Sequence, residues 1–119
     1  MEAASSLSSR LGRISISHEA VAHIVGRIAA EAYGVVGMAA RTPRDKLLTR
    51  DRLRQGITVG GSAEEGVTIE LDVVVEYGLN LAEVASTLRN RVQYEVERLT
   101  GLPVAEVEVR IQDVKKSKA

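Results

Sequence analysis

Between residues 67 and 78 the side chains take turns. Val67, Ile69, Leu71, Val73, Val75 and Tyr77 hold the odd positions, and Thr68, Glu70, Asp72, Glu76 and Gly78 hold most of the even ones. A period of two is the repeat of a β-strand with one face buried and one face wet. Directly afterwards the period changes. Leu81, Val84, Ala85, Leu88, Val92, Val96 and Leu99 recur at helical spacing. Alternation returns at Val107, Val109 and Ile111. A long strand, a long helix and a closing strand follow, and none of the three carries a visible reactive centre.

The first half is read the same way. Ile14 and Ile16 alternate in a short strand, and Ser17 is placed to cap a helix with Glu19 in its first turn. Val21, Ile24, Val25, Ile28, Ala29 and Ala32 make one apolar stripe, Gly34 stops the helix, and 35–39 re-enters the sheet. A strand begins at Gly56 through Ile57 and Val59, and 60–66 is a hairpin connection rich in Gly, Ser and Glu. Asn80, with Glu83 three residues on, forms a variant capping box for the second helix. Within that helix Arg91 and Glu95 are spaced to pair. Gly101 and Pro103 end it.

The core has to be aliphatic, because Phe and Trp are absent and Tyr33, Tyr77 and Tyr94 are the only aromatics. A chain of 119 residues fits one domain and buries enough surface to hold together without disulfide or metal. The absence of Cys removes disulfides, thiolate nucleophiles and Cys-based zinc sites together. Lys plus Arg and Asp plus Glu, 16 each, balance to zero, which argues against a whole-domain nucleic-acid footprint. No stretch is apolar enough to span a bilayer as a helix, and the start lacks the apolar run of a signal peptide. These features predict a disordered N-terminal arm over 1–12, one domain over 13–114 and a basic tail over 115–119.

Two segments together resemble the alkaline shock protein family of bacterial envelope-stress-response proteins. One runs from Gly12 through Ser17 to the Ala32, Tyr33, Gly34, Val35, Val36, Gly37, Met38 sequence. The other runs from Gly66 and Val67 through Tyr77, Gly78, Leu79 and Asn80 to Thr100, Gly101, Leu102, Pro103 and Val104, closing at Ile111. The resemblance implies a cytoplasmic, non-enzymatic protein that self-associates into a homo-oligomer and sits near the membrane through an integral-membrane partner. It brings no catalytic residues, cofactor or metal with it.

Several constellations compete with that expectation. His18 and His23 lie about 140° apart on a helix of about 3.6 residues per turn, so they do not share a metal-binding face. The Gly34-to-Gly37 spacing matches the G-x-x-G loop of KH nucleic-acid modules, but Val35 and Val36 stand where basic residues are needed. Gly60 and Gly61 lead into a strand without a following Lys, so they are hairpin residues and not a phosphate loop. Glu70, Asp72, Val74 and Glu76 share the outward face of the long strand, where Glu106 and Glu108 join them if the last strand is its neighbour. An open face of that kind lacks the pocket that acid–base chemistry requires.

The segment 41–54 is the basic feature: Arg41, Arg44, Lys46, Arg50, Arg52 and Arg54 against Asp45 and Asp51, with Leu47, Leu48 and Leu53 among them. It reads as a loop with a short basic helix, either solvated or serving as a docking surface for an anionic partner. The candidate interaction surface therefore comprises Arg41, Arg44, Lys46, Arg50, Arg52, Arg54, Glu70, Asp72, Val74 and Glu76.

The expected fold is α+β: a two-layer sandwich with two long helices packed on one face of a small mixed β-sheet. The expected function is a structural interaction protein of the envelope stress response. Two alternatives stay open. One is a nucleic-acid-binding module using 41–54, disfavoured because no aromatic there is available for stacking. The other is a regulatory subunit of a neighbouring enzyme, for example of fatty-acid metabolism.

Overall fold

The computed structural model describes residues 15–39 and 56–116, and the backbone of 6–8. In chain order the elements are β1 (Ser6–Ser8), β2 (Ser15–Ser17), α1 (His18–Glu31), β3 (Val35–Met38), β4 (Ile57–Ser62), β5 (Gly66–Glu76), α2 (Leu81–Thr100) and β6 (Val104–Lys115). β1 pairs antiparallel with β2 in a small sheet of its own. It falls within the stretch 1–12, for which the sequence alone suggests no element.

β5 is the axis of the main sheet. Along one edge it pairs in parallel with β6, from Val67 opposite Val104 to Glu76 opposite Lys115. Parallel neighbours need a long crossover, and α2 with its flanking turns supplies it. Along the other edge two strands lie end to end. β4 pairs antiparallel with residues 66–71 of β5, and β3 pairs antiparallel with residues 73–75. Asp72 sits at the joint: its N–H donates to Gly56 O at 2.8 Å and its carbonyl accepts from Ala39 N–H at 2.9 Å.

The alternation of β5 translates directly into burial. Val67, Leu71, Val73 and Val75 are fully buried and Ile69 nearly so. They share one core with Val21, Val25, Ile28 and Ala29 of α1 and Val84, Leu88, Val92 and Val96 of α2. Burying side chains of this size contributes about 1.5–3 kcal/mol each. Helical spacing alone did not decide every position, however. Leu81 and Leu99 carry the periodicity but are exposed, at the two ends of α2 where the stripe rolls off the core.

The helix ends follow the expected chemistry. Ser17 Oγ accepts from Ala20 N–H and Asn80 Oδ1 from Glu83 N–H, both at 3.0 Å. Gly101 is left-handed at φ 75° and donates its N–H to Glu97 O. The side chain of Glu97 then reaches on, its Oε2 accepting from Val104 N–H at 2.9 Å, while Val67 N–H donates to Pro103 O at 2.9 Å. These two bonds start the β5–β6 ladder. The Arg91–Glu95 pair does not form. Glu95 holds Arg98 at 2.6 Å, and Arg91 reaches across to Glu31 of α1 at 3.6 Å.

The fold differs from the sequence-based expectation of two long helices packed on one face of a small mixed sheet in a two-layer sandwich. α1 has 14 residues against 20 in α2, so only one helix is long. Strand and helix content are roughly equal, and the two-stranded β1–β2 sheet stands beside the four-stranded one. α1 is short because its C-cap, Ala32, is already extended (φ −78°, ψ 141°), and Gly34 at φ 87° then turns the chain into β3. Strand is gained because β4 and β5 run on to a tight turn, where Glu65 N–H donates to Ser62 Oγ at 3.0 Å.

Candidate interaction surface

Register decides which side chains meet on the outward face. Glu70 lies opposite Glu108, Asp72 opposite Arg110, Val74 opposite Asp113 and Glu76 opposite Lys115. Two glutamates directly across a ladder repel. Arg110 answers that repulsion. Its Nε donates to Asp72 Oδ1 at 2.9 Å, and its Nη2 lies 3.3 Å from Glu70 Oε1 and 3.4 Å from Asp72 Oδ2. Its Nη1 stands 3.9 Å from Glu108 Oε1. The hydrogen bond to Asp72, followed by the charge of Asp72, raises the Arg110 pKa further above its ordinary value, so the guanidinium stays charged throughout the accessible pH range. Between Ile111 and Asp113 the register shifts, leaving Gln112 as an extra residue. That bulge lets Gln112 Nε2 donate to Asp72 Oδ1 at 3.0 Å. Asp72 is therefore 7% exposed although it points away from the aliphatic core.

Of the residues singled out from sequence, Glu70, Asp72, Val74 and Glu76 do share this face. Arg41, Arg44, Lys46, Arg50, Arg52 and Arg54 lie outside the described residues. Ala39 and Gly56, the described residues on either side of that stretch, are both hydrogen-bonded to the backbone of Asp72. Sequence reasoning passed over Arg110 and Gln112. A signal existed for Arg110, the single cation in the polar row of Glu106, Glu108 and Arg110, but its partners depend on a register that only the paired strands set.

Elsewhere the surface is open. Tyr33, Tyr77 and Tyr94 are 77%, 66% and 64% exposed, so none of the chain's aromatics fills the core. A groove of about 220 Å³ is lined by Tyr33, Leu79, Asn80, Glu83, Val84 and Thr87. A wider depression of about 600 Å³ lies between the start of α1 and β4. His18 Nε2 is 3.4 Å from Gly61 O, whereas His23 is exposed on α1. Among the described residues no three His, Cys, Asp or Glu side chains converge as metal ligands. Gly34 and Gly37 bracket the entry to β3, and Val36 between them is half-exposed at a register shift. Among the described residues no helix is long and apolar enough to cross a membrane.

Residues 6–116 match the alkaline shock protein 23 family, described as having a cell envelope-related function. The chain belongs to this family. Its relatives include the uncharacterized protein YloU of Bacillus subtilis, 32% identical over 113 residues that make up 92% of this chain and 93% of YloU. Another is the uncharacterized protein Spy1614 of Streptococcus pyogenes, 32% identical over 108 residues, 87% of this chain and 88% of the relative. A Streptococcus pyogenes protein named as a homolog of the stress response regulator gls24 is 28% identical over 107 residues, 87% of this chain but 59% of that protein. No solved structure is a significant match. The alkaline shock family match takes in β1 to β6 together, so the domain described above is the family's domain.

Proposed function

We propose that this alkaline shock family protein is a non-enzymatic structural and interaction protein of the bacterial cell-envelope stress response. Copies associate with one another in the cytoplasm, and an integral-membrane partner holds them near the membrane. The observation that carries this reading is the family match over 6–116 with its cell envelope-related function. The name of the gls24 homolog as a stress response regulator supports the stress half of it. The architecture supports association. Among the described residues β6 pairs with β5 alone, so a strand of 12 residues presents an edge able to take another strand. The interaction surface is assigned to the outward face of Glu70, Asp72, Val74 and Glu76 together with the basic residues of 41–54.

Sedimentation velocity over a wide concentration range, with cross-linking to membrane fractions of stressed cells, tests the reading. Concentration-dependent assembly and one recurring membrane-protein adduct are expected. A strict monomer that cross-links to no membrane protein overturns it. A mobility shift of nucleic acid at low salt would put a nucleic-acid module in its place, and co-purification with a soluble metabolic enzyme would put a regulatory subunit there.

A further inference from the structure

We infer that the free edge of β6 pairs antiparallel with the same edge of a second copy, about a two-fold axis between Ile111 and Gln112. The inference rests on the reading that copies associate, and it names the strand and register through which they do. The first ground is the backbone. Tyr77 N–H donates to Lys115 O at 2.8 Å, so Lys115 faces β5. Its neighbour Val114 faces away, and the Val114 N–H turns to the adjoining carboxylate, Asp113 Oδ1, at 2.8 Å. Val109 and Ile111 lie on the same side of the sheet as Val114, opposite Leu71, Val73 and Val75 in turn. Their N–H and C=O groups therefore face away from β5 too, and among the described residues no strand takes them up. The second ground is apolar. Leu71, Val73 and Val75 are fully buried, whereas Val109, Ile111 and Val114 are only half-buried, as befits a row with no neighbour beyond it.

The third ground is that the strand is complementary to itself. With the axis between Ile111 and Gln112, Val109 meets Val114 of the second copy, Glu108 meets Lys115 and Arg110 meets Asp113. Two-fold symmetry makes each of these pairs twice. Val109 and Val114 are the hydrogen-bonded pairs, so Val114 N–H passes from Asp113 to Val109 O of the second copy, and Asp113 is released to Arg110. The charged pairs are then the non-hydrogen-bonded ones, whose side chains stand closest. Arg110 can serve both neighbours. Its Nε and Nη2 reach Asp72 and Glu70, while its Nη1 is 3.9 Å from Glu108, beyond hydrogen-bond reach. The bulge at Gln112 falls at the axis, where both copies carry it. Sliding one strand by two residues sets Glu108 against Asp113 or Arg110 against Lys115, like charges in both cases. Charge thus selects one register, and the pair closes on itself.

The chain contains no Cys, so introduced thiols report the register. Glu108→Cys and Lys115→Cys are made as separate full-length chains, mixed and oxidised. A disulfide-linked dimer is expected from the mixture and several-fold less from either variant alone, because each thiol is about 23 Å along the strand from its own counterpart. Glu108→Cys mixed with Asp113→Cys, the pair of a slipped register, should also give several-fold less. Independently, Lys115→Glu should weaken dimerisation about tenfold in sedimentation velocity with an unchanged circular-dichroism spectrum, and adding Glu108→Lys should restore it. Should Lys115→Glu fail to fold, the thiol mixtures decide alone. Equal cross-linking in all mixtures overturns the inference. So does concentration-dependent assembly that neither links 108 to 115 nor responds to Lys115→Glu, which leaves self-association standing on another surface. A strict monomer overturns both the inference and self-association. The 108–115 link in a chain that captures no membrane protein upholds the interface and removes the envelope half of the functional reading.

Discussion

Asp72 shows how far a neighbouring strand changes a residue's circumstances. By alternation it belongs to the wet row of β5, yet Arg110 and Gln112 close over it and leave it 7% exposed. Asp72→Leu is therefore expected to lower the urea midpoint measurably, because Arg110 Nε and Gln112 Nε2 lose the carboxylate oxygen they donate to. Glu70→Leu, at a half-exposed position, should leave the midpoint nearly unchanged. Equal midpoints would show that the network contributes nothing. One residue earlier, Leu71 is fully buried. Leu71→Asp places an unpaired charge there at a cost of about 4 kcal/mol or more, comparable with the about 5–15 kcal/mol stability of a domain. Loss of soluble, cooperatively melting protein is the expected result. Glycine positions separate in the same way. Gly101 has φ 75° and open space around a would-be Cβ, so Gly101→Ala should cost about 1 kcal/mol. At Gly61, φ is 90° and a Cβ would run into the Gly66 carbonyl, so Gly61→Ala should cost clearly more in the same denaturation experiment.

Between elements, the contacts that matter are those that fix α2 between β5 and β6. Asn80 starts the helix by accepting from Glu83 N–H. Asn80→Ala should lower stability by about 1 kcal/mol, seen as a melting-temperature drop of about 4–8 °C. At the far end Thr100 is buried, donating to Val96 O at 2.6 Å and accepting from Leu102 N–H at 3.1 Å, which bends the chain toward β6. The salt bridges of α2 are a weaker matter. Arg98 with Glu95 and Arg91 with Glu31 lie at the surface, where pairs of this kind contribute little and are screened by salt. Their arrangement is still informative: Glu95 has cations at both i−4 and i+3, and the one at i+3 wins because Arg91 is drawn toward α1.

For the whole molecule, the seam at Asp72 is the organising feature. β3 and β4 act as one edge strand interrupted by 40–55, and Ala39 and Gly56 meet there, a Cβ on Gly56 falling 2.7 Å from Ala39 O. Replacing 40–55 with a four-residue turn rich in Gly and Asn should therefore leave a cooperatively folding domain. Loop closure should improve by about 1 kcal/mol for two halvings of length. A shortened chain that fails to fold would show that 40–55 supplies core.

Residues 67–114 were the most legible part of the sequence. There the period of two, the capping Asn80, the stop at Gly101 and the closing alternation are local signals, each generated by backbone geometry that acts over a few residues. They placed β5, α2 and β6 close to their observed bounds and marked Glu70, Asp72, Val74 and Glu76 as one row. Local pattern could not show that β3 and β4 would share one edge of β5. Nor could it show that α1 would stop at Glu31, or that Leu81 and Leu99 would point off the core. It also could not show that a bulge at Gln112 and a parallel register would gather Arg110 onto Asp72, Glu70 and Glu108. Those outcomes rest on pairing between residues about 40 positions apart, where one shift in register exchanges which side chains face each other, so the tertiary structure alone decided them.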